Sequence, residues 1–226
     1  MKPKFFSIIP ARIGSKGITK KNLYAFKNKP LVQWTIEASD KSKFIKKTIV
    51  SSDSDEILNL SSDLNFTKHK RGTKLSNDNA SSEAVVENIL EEMKNLISDF
   101  EYIVLLQPTS PLRSSDHIDK ACKKILKDEA NSLISVKEIS NSFLKILIEN
   151  PEGGLMSGQN KDFPFTPRQK LPKAFIPNGA IYISKISSFI EEKSFLAENN
   201  SYILMDEQSS IDIDTIEDVR RAESFF

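Results

Sequence analysis

Residues 8–22 read IIPARIGSKGITKKN, and this stretch decides the fold because an apolar strand there runs into a loop of glycines and cations. Phe5, Phe6, Ile8 and Ile9 form a short apolar run closed by Pro10, the pattern of a parallel strand buried on both faces. Gly14 and Gly17 permit positive φ and close backbone approach, so main-chain N–H groups can turn toward an anion. Arg12, Lys16, Lys20 and Lys21 add charge for phosphate oxygens. Neither G-x-G-x-x-G nor G-x-x-x-x-G-K-[ST] is present, which removes support for dinucleotide binding and P-loop hydrolysis. On spacing alone, the competing reading is a solvated basic loop.

Beyond the loop the chain alternates strand and helix. Pro30 opens a helical segment with Leu31, Trp34, Ile36 and Ala38, and KTIVSS (47–52) is a second strand. Asp53 and Glu56 resemble a capping pair for the next helix. Val85, Val86, Ile89, Leu90, Met93 and Leu96 recur with helical period and predict a helix over 80–97. YIVLL (102–106) is a buried strand ending in the proline-fixed loop 107–113, after which Ser114 or Ser115 caps a helix with Cys122 on its buried face. SLISV (132–136), 180–183 and 202–205 read as further strands, and Thr215 with Asp218 forms a capping box for a final helix. This rhythm predicts an α/β fold, a three-layer, mainly parallel twisted sheet, over a single domain spanning 1–226.

From about 140 to 173 the texture changes to short apolar alternation, Gly153–Gly154, Pro164, Pro167 and Pro172. Phe143–Ile148 reads as strand-like. Its apolar residues would be poorly buried alone, so this insertion is expected to be an arm that packs on a second subunit in a homodimer.

The 226 residues carry 32 Lys and Arg against 31 Asp and Glu, a formal net charge of +1. That balance gives no overall footprint for nucleic acid or an anionic membrane. One cysteine, Cys122, permits no intramolecular disulfide and no cysteine-built zinc site. The N-terminal apolar run is too short for a signal-peptide core and no stretch approaches spanning length, so the expectation is a soluble cytoplasmic protein without membrane contact.

Five motifs carry a resemblance: PARIGSKG with KKN in the opening loop, LLQPTSPLR (105–113), PRQKLP (167–172), PNGAIYI (177–183) and SIDIDTIED (210–218). In order and spacing they resemble the acylneuraminate cytidylyltransferases, the CMP-sialic acid synthetases, over nearly the whole chain. The resemblance implies a nucleotide-diphospho-sugar transferase-like, Rossmann-like fold, CTP and an acidic nine-carbon sugar as substrates, and dimerisation through the arm. Arg12 and Lys21, with Lys16, suit the triphosphate by their charge and Ala11 joins them in the nucleotide loop, while the resemblance assigns Asn22 and Arg71 to the nucleotide, with Ala80 and Ser82 beside the cytosine and ribose. Without it, Ser82 reads as a helix cap and Arg71 as a surface residue.

Asp212 and Asp214 alternate with Ile211 and Ile213, so in an extended segment both carboxylates share one face. Such a pair suits Mg²⁺ held together with substrate phosphates. Alternation alone favours an edge strand with a solvated acidic face, and only the likeness of SIDIDTIED to the family's metal motif turns the reading toward the ion. By motif position, Gln107, Arg168, Tyr182 and Phe195 fall to the acidic sugar, and Lys145 on the arm is either a contact across the dimer or a solvated lysine. The chain departs from the family at Ile176, just before P-N-G-A, where relatives often have a basic residue; that bears on which sugar is used. His69 and His117 are not spaced with a nucleophile for triad chemistry.

The reading is therefore a Mg²⁺-dependent cytidylyltransferase that joins CTP to N-acetylneuraminate or a related nonulosonic acid. Arg12, Lys21, Asp212 and Asp214 are its catalytic residues. Alternatives are a synthetase for legionaminate, pseudaminate or Kdo, and a non-catalytic nucleotide-binding relative.

Overall fold

A computed structural model describes residues 4–77 and 79–226. Seven strands form one twisted sheet: β1 (Phe5–Pro10), β2 (Ile45–Ser52), β3 (Thr67–Lys70), β4 (Tyr102–Leu105), β5 (Ser132–Ile139), β6 (Ala174–Lys185) and β7 (Asn200–Leu204). Their order is β7-β5-β6-β4-β1-β2-β3. Every adjacent pair is parallel except those made by β6, which runs antiparallel to β4 and β5.

The expected three layers are present. Successive residues of β1 face opposite ways, so Phe5 and Ile9 join one core cluster while Phe6 and Ile8 join another. The first cluster lies under α1 (Leu31–Asp40) and α3 (Ser115–Lys127), through Val32, Ile36, Ile118 and Cys122. The second lies under α2 (Ser82–Glu92) and α4 (Ile186–Glu192), through Val85, Val86, Ile89 and Phe189. A third, smaller cluster joins Ile18, Leu31, Ile211 and Ile213 to Val219 and Ala222 of α5 (Ile216–Glu223). It fastens the phosphate loop to the Asp212–Asp214 segment.

Strand order reverses at β1, which lies between β2 and β4. Open α/β sheets bind ligands outside the carboxyl ends of strands at such a reversal. The loops after β1, β2 and β4 leave the sheet there. No helix among the described residues is long and apolar enough to cross a membrane.

Several boundaries differ from the expectation. The helix predicted over 80–97 is interrupted at Met93, whose φ of −107° and ψ of 17° separate α2 from a turn at Lys94–Ile97. Beta6 begins at Ala174 rather than 180, because its first residues pair with the extended end of β5 (Ala174 with Ile139, Pro177 with Val136). A register shift between Pro177 and Tyr182 absorbs the proline and places Gly179 at φ +78°. Phe143–Ile148 is not one strand: Asn141–Lys145 is a 3-10 turn, and only Leu147–Glu149 pairs, with Leu155–Ser157, across a loop where Gly153 and Gly154 take φ of +96° and +86°. Phe143, Leu155 and Phe165 are 60%, 70% and 87% exposed, so alternation there has no surface of this chain to pack against.

Candidate functional site

The phosphate loop is fixed by bonds its composition does not announce. Ala11 N–H donates to the Ser51 carbonyl at 2.9 Å, continuing β1 by one residue. Ile13 N–H then donates to Asp53 Oδ1 at 2.9 Å, and Asn22 Nδ2 donates to the Arg12 carbonyl at 2.7 Å. Asp53 is thus a loop tie and not the helix cap its position suggested; Ser54 holds the cap position without a side-chain bond. Neither Gly14 nor Gly17 has positive φ, and the left-handed residue of the loop is Lys20 at φ 51°. Gly17 is required for another reason: a Cβ there would lie 2.1 Å from the Asp214 carbonyl oxygen. The loop after β1 and the aspartate segment are pressed backbone to backbone.

That segment shows the predicted alternation, with Ile211 and Ile213 buried and Asp212 and Asp214 exposed, although it is not a strand of the sheet. Ile213 N–H bonds the Thr109 carbonyl at 2.8 Å, and the predicted Thr215–Asp218 capping box fixes the segment's far end. Lys21 Nζ donates to Asp214 Oδ1 at 2.7 Å and to the Ile213 carbonyl at 2.9 Å. The Asp212 carboxyl pKa is raised, chiefly because the cleft walls partly strip water from its carboxylate although the residue as a whole is exposed, with the charges of Asp214 and Asp218 adding; a Thr109 hydrogen bond and Lys21 pull the other way. A cation between these carboxylates would relieve that penalty, and two carboxylates facing a phosphate loop are oxygen donors of the kind Mg²⁺ takes. The residues fit such an ion.

One cleft is lined by Arg12, Lys21, Asn22, Arg71, Ala80, Ser82, Gln107, Thr109, Asp212 and Asp214. Arg71, expected at the surface on residues alone, is only 6% exposed and its Nε has no protein partner. Burial lowers the pKa of its guanidinium, with Asp53 opposing and Arg12 reinforcing the shift. Two guanidinium groups are therefore held close enough to repel, an arrangement that favours a polyanion between them. Ser81 caps α2 by accepting from Ala84 N–H at 3.1 Å, which leaves Ser82 to line the cleft. Ala11 is fully buried beneath the loop, and Lys16 is exposed outside the lining.

The residues assigned to the sugar are divided. Gln107 lines the cleft, with its Oε1 2.8 Å from where a Gly179 Cβ would stand. Tyr182 is half-buried, and burial together with the Asp212 and Glu83 charges raises its hydroxyl pKa. Phe195 packs into the core at 4% exposure, its ring 5.0 Å from Phe189 and 5.9 Å from Tyr182. Arg168 is exposed on the arm, where it donates to Asn141 Oδ1 and Ser140 Oγ at 3.2 Å each, in a separate depression with Glu138 and Lys173. Lys145 ends the Asn141–Lys145 turn, also outside the cleft lining.

The histidines have structural partners. His69 Nδ1 lies 2.9 Å from Ser51 Oγ and its Nε2 3.1 Å from Glu92, while the His117 ring accepts from Ser114 N–H in a capping box. Cys122 is buried, and burial pushes its thiol pKa far up. Thr109 and Asn178 lie inside quoted motifs but have no role of their own in the sequence reading, and Asp53 reads there as a helix cap. Asn178 bonds Ser135, the Ala180 N–H and Ser210, so it joins P-N-G-A to the segment before Asp212.

With this geometry in hand, comparison with known proteins gives a consistent answer. The profile of the Cytidylyltransferase family matches residues 6–154. An N-acylneuraminate cytidylyltransferase of Escherichia coli is 33% identical over 214 residues, covering 95% of this chain and 50% of that protein. A CMP-N,N'-diacetyllegionaminic acid synthase of Legionella pneumophila is 32% identical over 219 residues, covering 94% and 91%. This chain spans about half the length of the N-acylneuraminate cytidylyltransferases it matches. A structure of a CMP:2-keto-3-deoxy-manno-octonic acid synthetase complexed with CTP superposes with a TM-score of 0.68 over 98% of both chains at 13% identity, which supports the fold. Fold, cleft and family pattern agree: the chain belongs to the cytidylyltransferase family.

Proposed function

We propose that this chain joins CTP to a nonulosonic acid, N-acetylneuraminate or a close relative such as legionaminate or pseudaminate, giving the CMP-sugar and pyrophosphate. The observation that supports it most is the convergence of Arg12, Lys21 and Arg71 with Asp212, Asp214 and Gln107 in one cleft at the strand-order reversal. The sugar's anomeric hydroxyl attacks the α-phosphorus, a P–O bond forms, and the bond to the β-phosphate oxygen breaks as pyrophosphate leaves. Such a displacement needs positioning and charge neutralisation rather than a covalent enzyme intermediate. Arg12 forks onto phosphate oxygens, while Lys21, already poised at Asp214, turns its ammonium to the developing charge. Asn22 and Arg71 hold the nucleotide, with Ala80 and Ser82 beside its base and ribose. Asp212 and Asp214 would hold Mg²⁺, which when bound supplies electrophilic neutralisation of the phosphates.

On the sugar side, Gln107 and Tyr182 offer an amide and an aromatic face. Arg168 and Lys145 lie on the arm, whose exposed Phe143, Ile146, Leu155 and Phe165 suit a second copy of the chain. We infer a homodimer in which these cations reach the neighbour's cleft. Pyrophosphate release on mixing protein, Mg²⁺, CTP and each of several nonulosonic acids tests the reading. Turnover of at least one acid is expected; tight CTP binding without turnover of any would point instead to a non-catalytic nucleotide-binding relative.

A further inference from the structure

Arg113 heads the fully buried side chains at 1% exposure, yet it makes no ion pair among the described residues. Its Nη1 donates to the carbonyls of Gln107, at 3.3 Å, and Ala180, at 3.5 Å. Its Nε and Nη2, and the Oγ of the neighbouring buried Ser110, have no protein partner. Burial alone lowers the pKa of this guanidinium to about 9. Holding a cation in such a place is costly, and an apolar side chain of similar volume is usually tolerated as well or better. A residue that served packing only would not need the charge.

What the charge touches is informative. Gln107 and Ala180 belong to the two walls that confine the Gln107 amide: its own turn, and the left-handed Gly179 next to Ala180, which approaches Gln107 Oε1 too closely for any Cβ. We propose that Arg113 is a positioning residue that clamps these two walls together and so aims the Gln107 amide at the acidic sugar. The inference rests on the reading of Gln107 as a sugar contact. Arg113 itself touches neither substrate; its role is to fix one rotamer of a residue that does, and a misplacement of that contact weakens sugar recognition without touching the nucleotide.

The test is a double-substitution cycle on the full chain, with CTP and N-acetylneuraminate as the two varied substrates. Arg113→Met is expected to raise the KM for the sugar about tenfold, leave the KM for CTP unchanged and keep or raise the melting temperature, since an unpaired buried charge is removed. A purely structural arginine predicts the opposite: a lower melting temperature and no selective change in KM. Arg113→Lys, which keeps the charge but ends one bond short of where Nη1 meets both carbonyls, is expected to show the same selective KM rise and serves if the methionine variant is poorly folded. In the Gln107→Ala background, Arg113→Met should add nothing further to the sugar KM. Additive effects would overturn the clamp while leaving Gln107 as a sugar contact; an unchanged sugar KM in Gln107→Ala alone would overturn the contact itself and the clamp with it.

Discussion

The cleft and the arm are opposite kinds of surface. In the cleft, nearly every group that matters is tied down within one chain: Ile13 to Asp53, Asn22 to Arg12, Lys21 to Asp214, Ile213 to Thr109. On the arm, short turns and a small hairpin display exposed aromatic and aliphatic side chains, and Arg168 bonds the nearby loop residues Ser140 and Asn141. The difference teaches where self-sufficiency ends. On the proposed reading, one chain completes the site for CTP, whereas a sugar site that uses Arg168 and Lys145 needs the arm to be docked on a neighbour.

The largest effect expected from breaking the comparison lies at the phosphate loop. Arg12→Ala or Lys21→Ala should lower turnover about 10²–10³-fold, the scale of losing one charge-assisted contact in a transition state, with the circular dichroism spectrum unchanged. Unchanged kinetics in both would take the loop out of the active site. On the arm, Phe143→Asp with Ile146→Asp should convert dimer to monomer in sedimentation velocity and lower turnover about tenfold or more. A fully active monomer would end the idea that the arm completes the site.

Legibility in the sequence follows the same division. Strand-to-loop transitions at Pro10 and Leu106 and the capping box at Thr215 were readable because apolar runs and caps are local signals. The long start of β6 was not, because pairing with β5 overrides the local proline and glycine. The aspartate pair was readable from alternation, but its neighbour relations were not: Asp53 and Gly17 act through contacts with residues 40 and 197 positions away. Arg71 looked like surface because nothing local reports that β3 ends against the cleft.

A smaller effect separates the two aspartates. Two carboxylates on one face repel, but Asp214 is paired with Lys21 at 2.7 Å while Asp212 bears the desolvation. Asp212→Asn should therefore raise the melting temperature without metal, and Asp214→Asn should leave it level or lower. Because the folded carboxyl of Asp212 is raised, its ionised form costs stability above that pKa, and the cost vanishes as pH falls through it. The advantage of Asp212→Asn in melting temperature should shrink accordingly on acidification. Both variants should lose most Mg²⁺-dependent turnover. The smallest change is expected at Asp53→Ala, which frees one loop N–H and should cost about tenfold or less in turnover, read as a rise in the KM for CTP.

The claim that the two regions divide the substrates between them is met most directly by calorimetric titration of the Phe143→Asp, Ile146→Asp protein with CTP, and then with N-acetylneuraminate in the presence of CTP and without Mg²⁺, so that no turnover occurs. The expected result is a CTP dissociation constant equal to that of the unmodified protein, with sugar binding lost. Retention of both would contradict the division, and so would loss of both in a protein that still melts cooperatively.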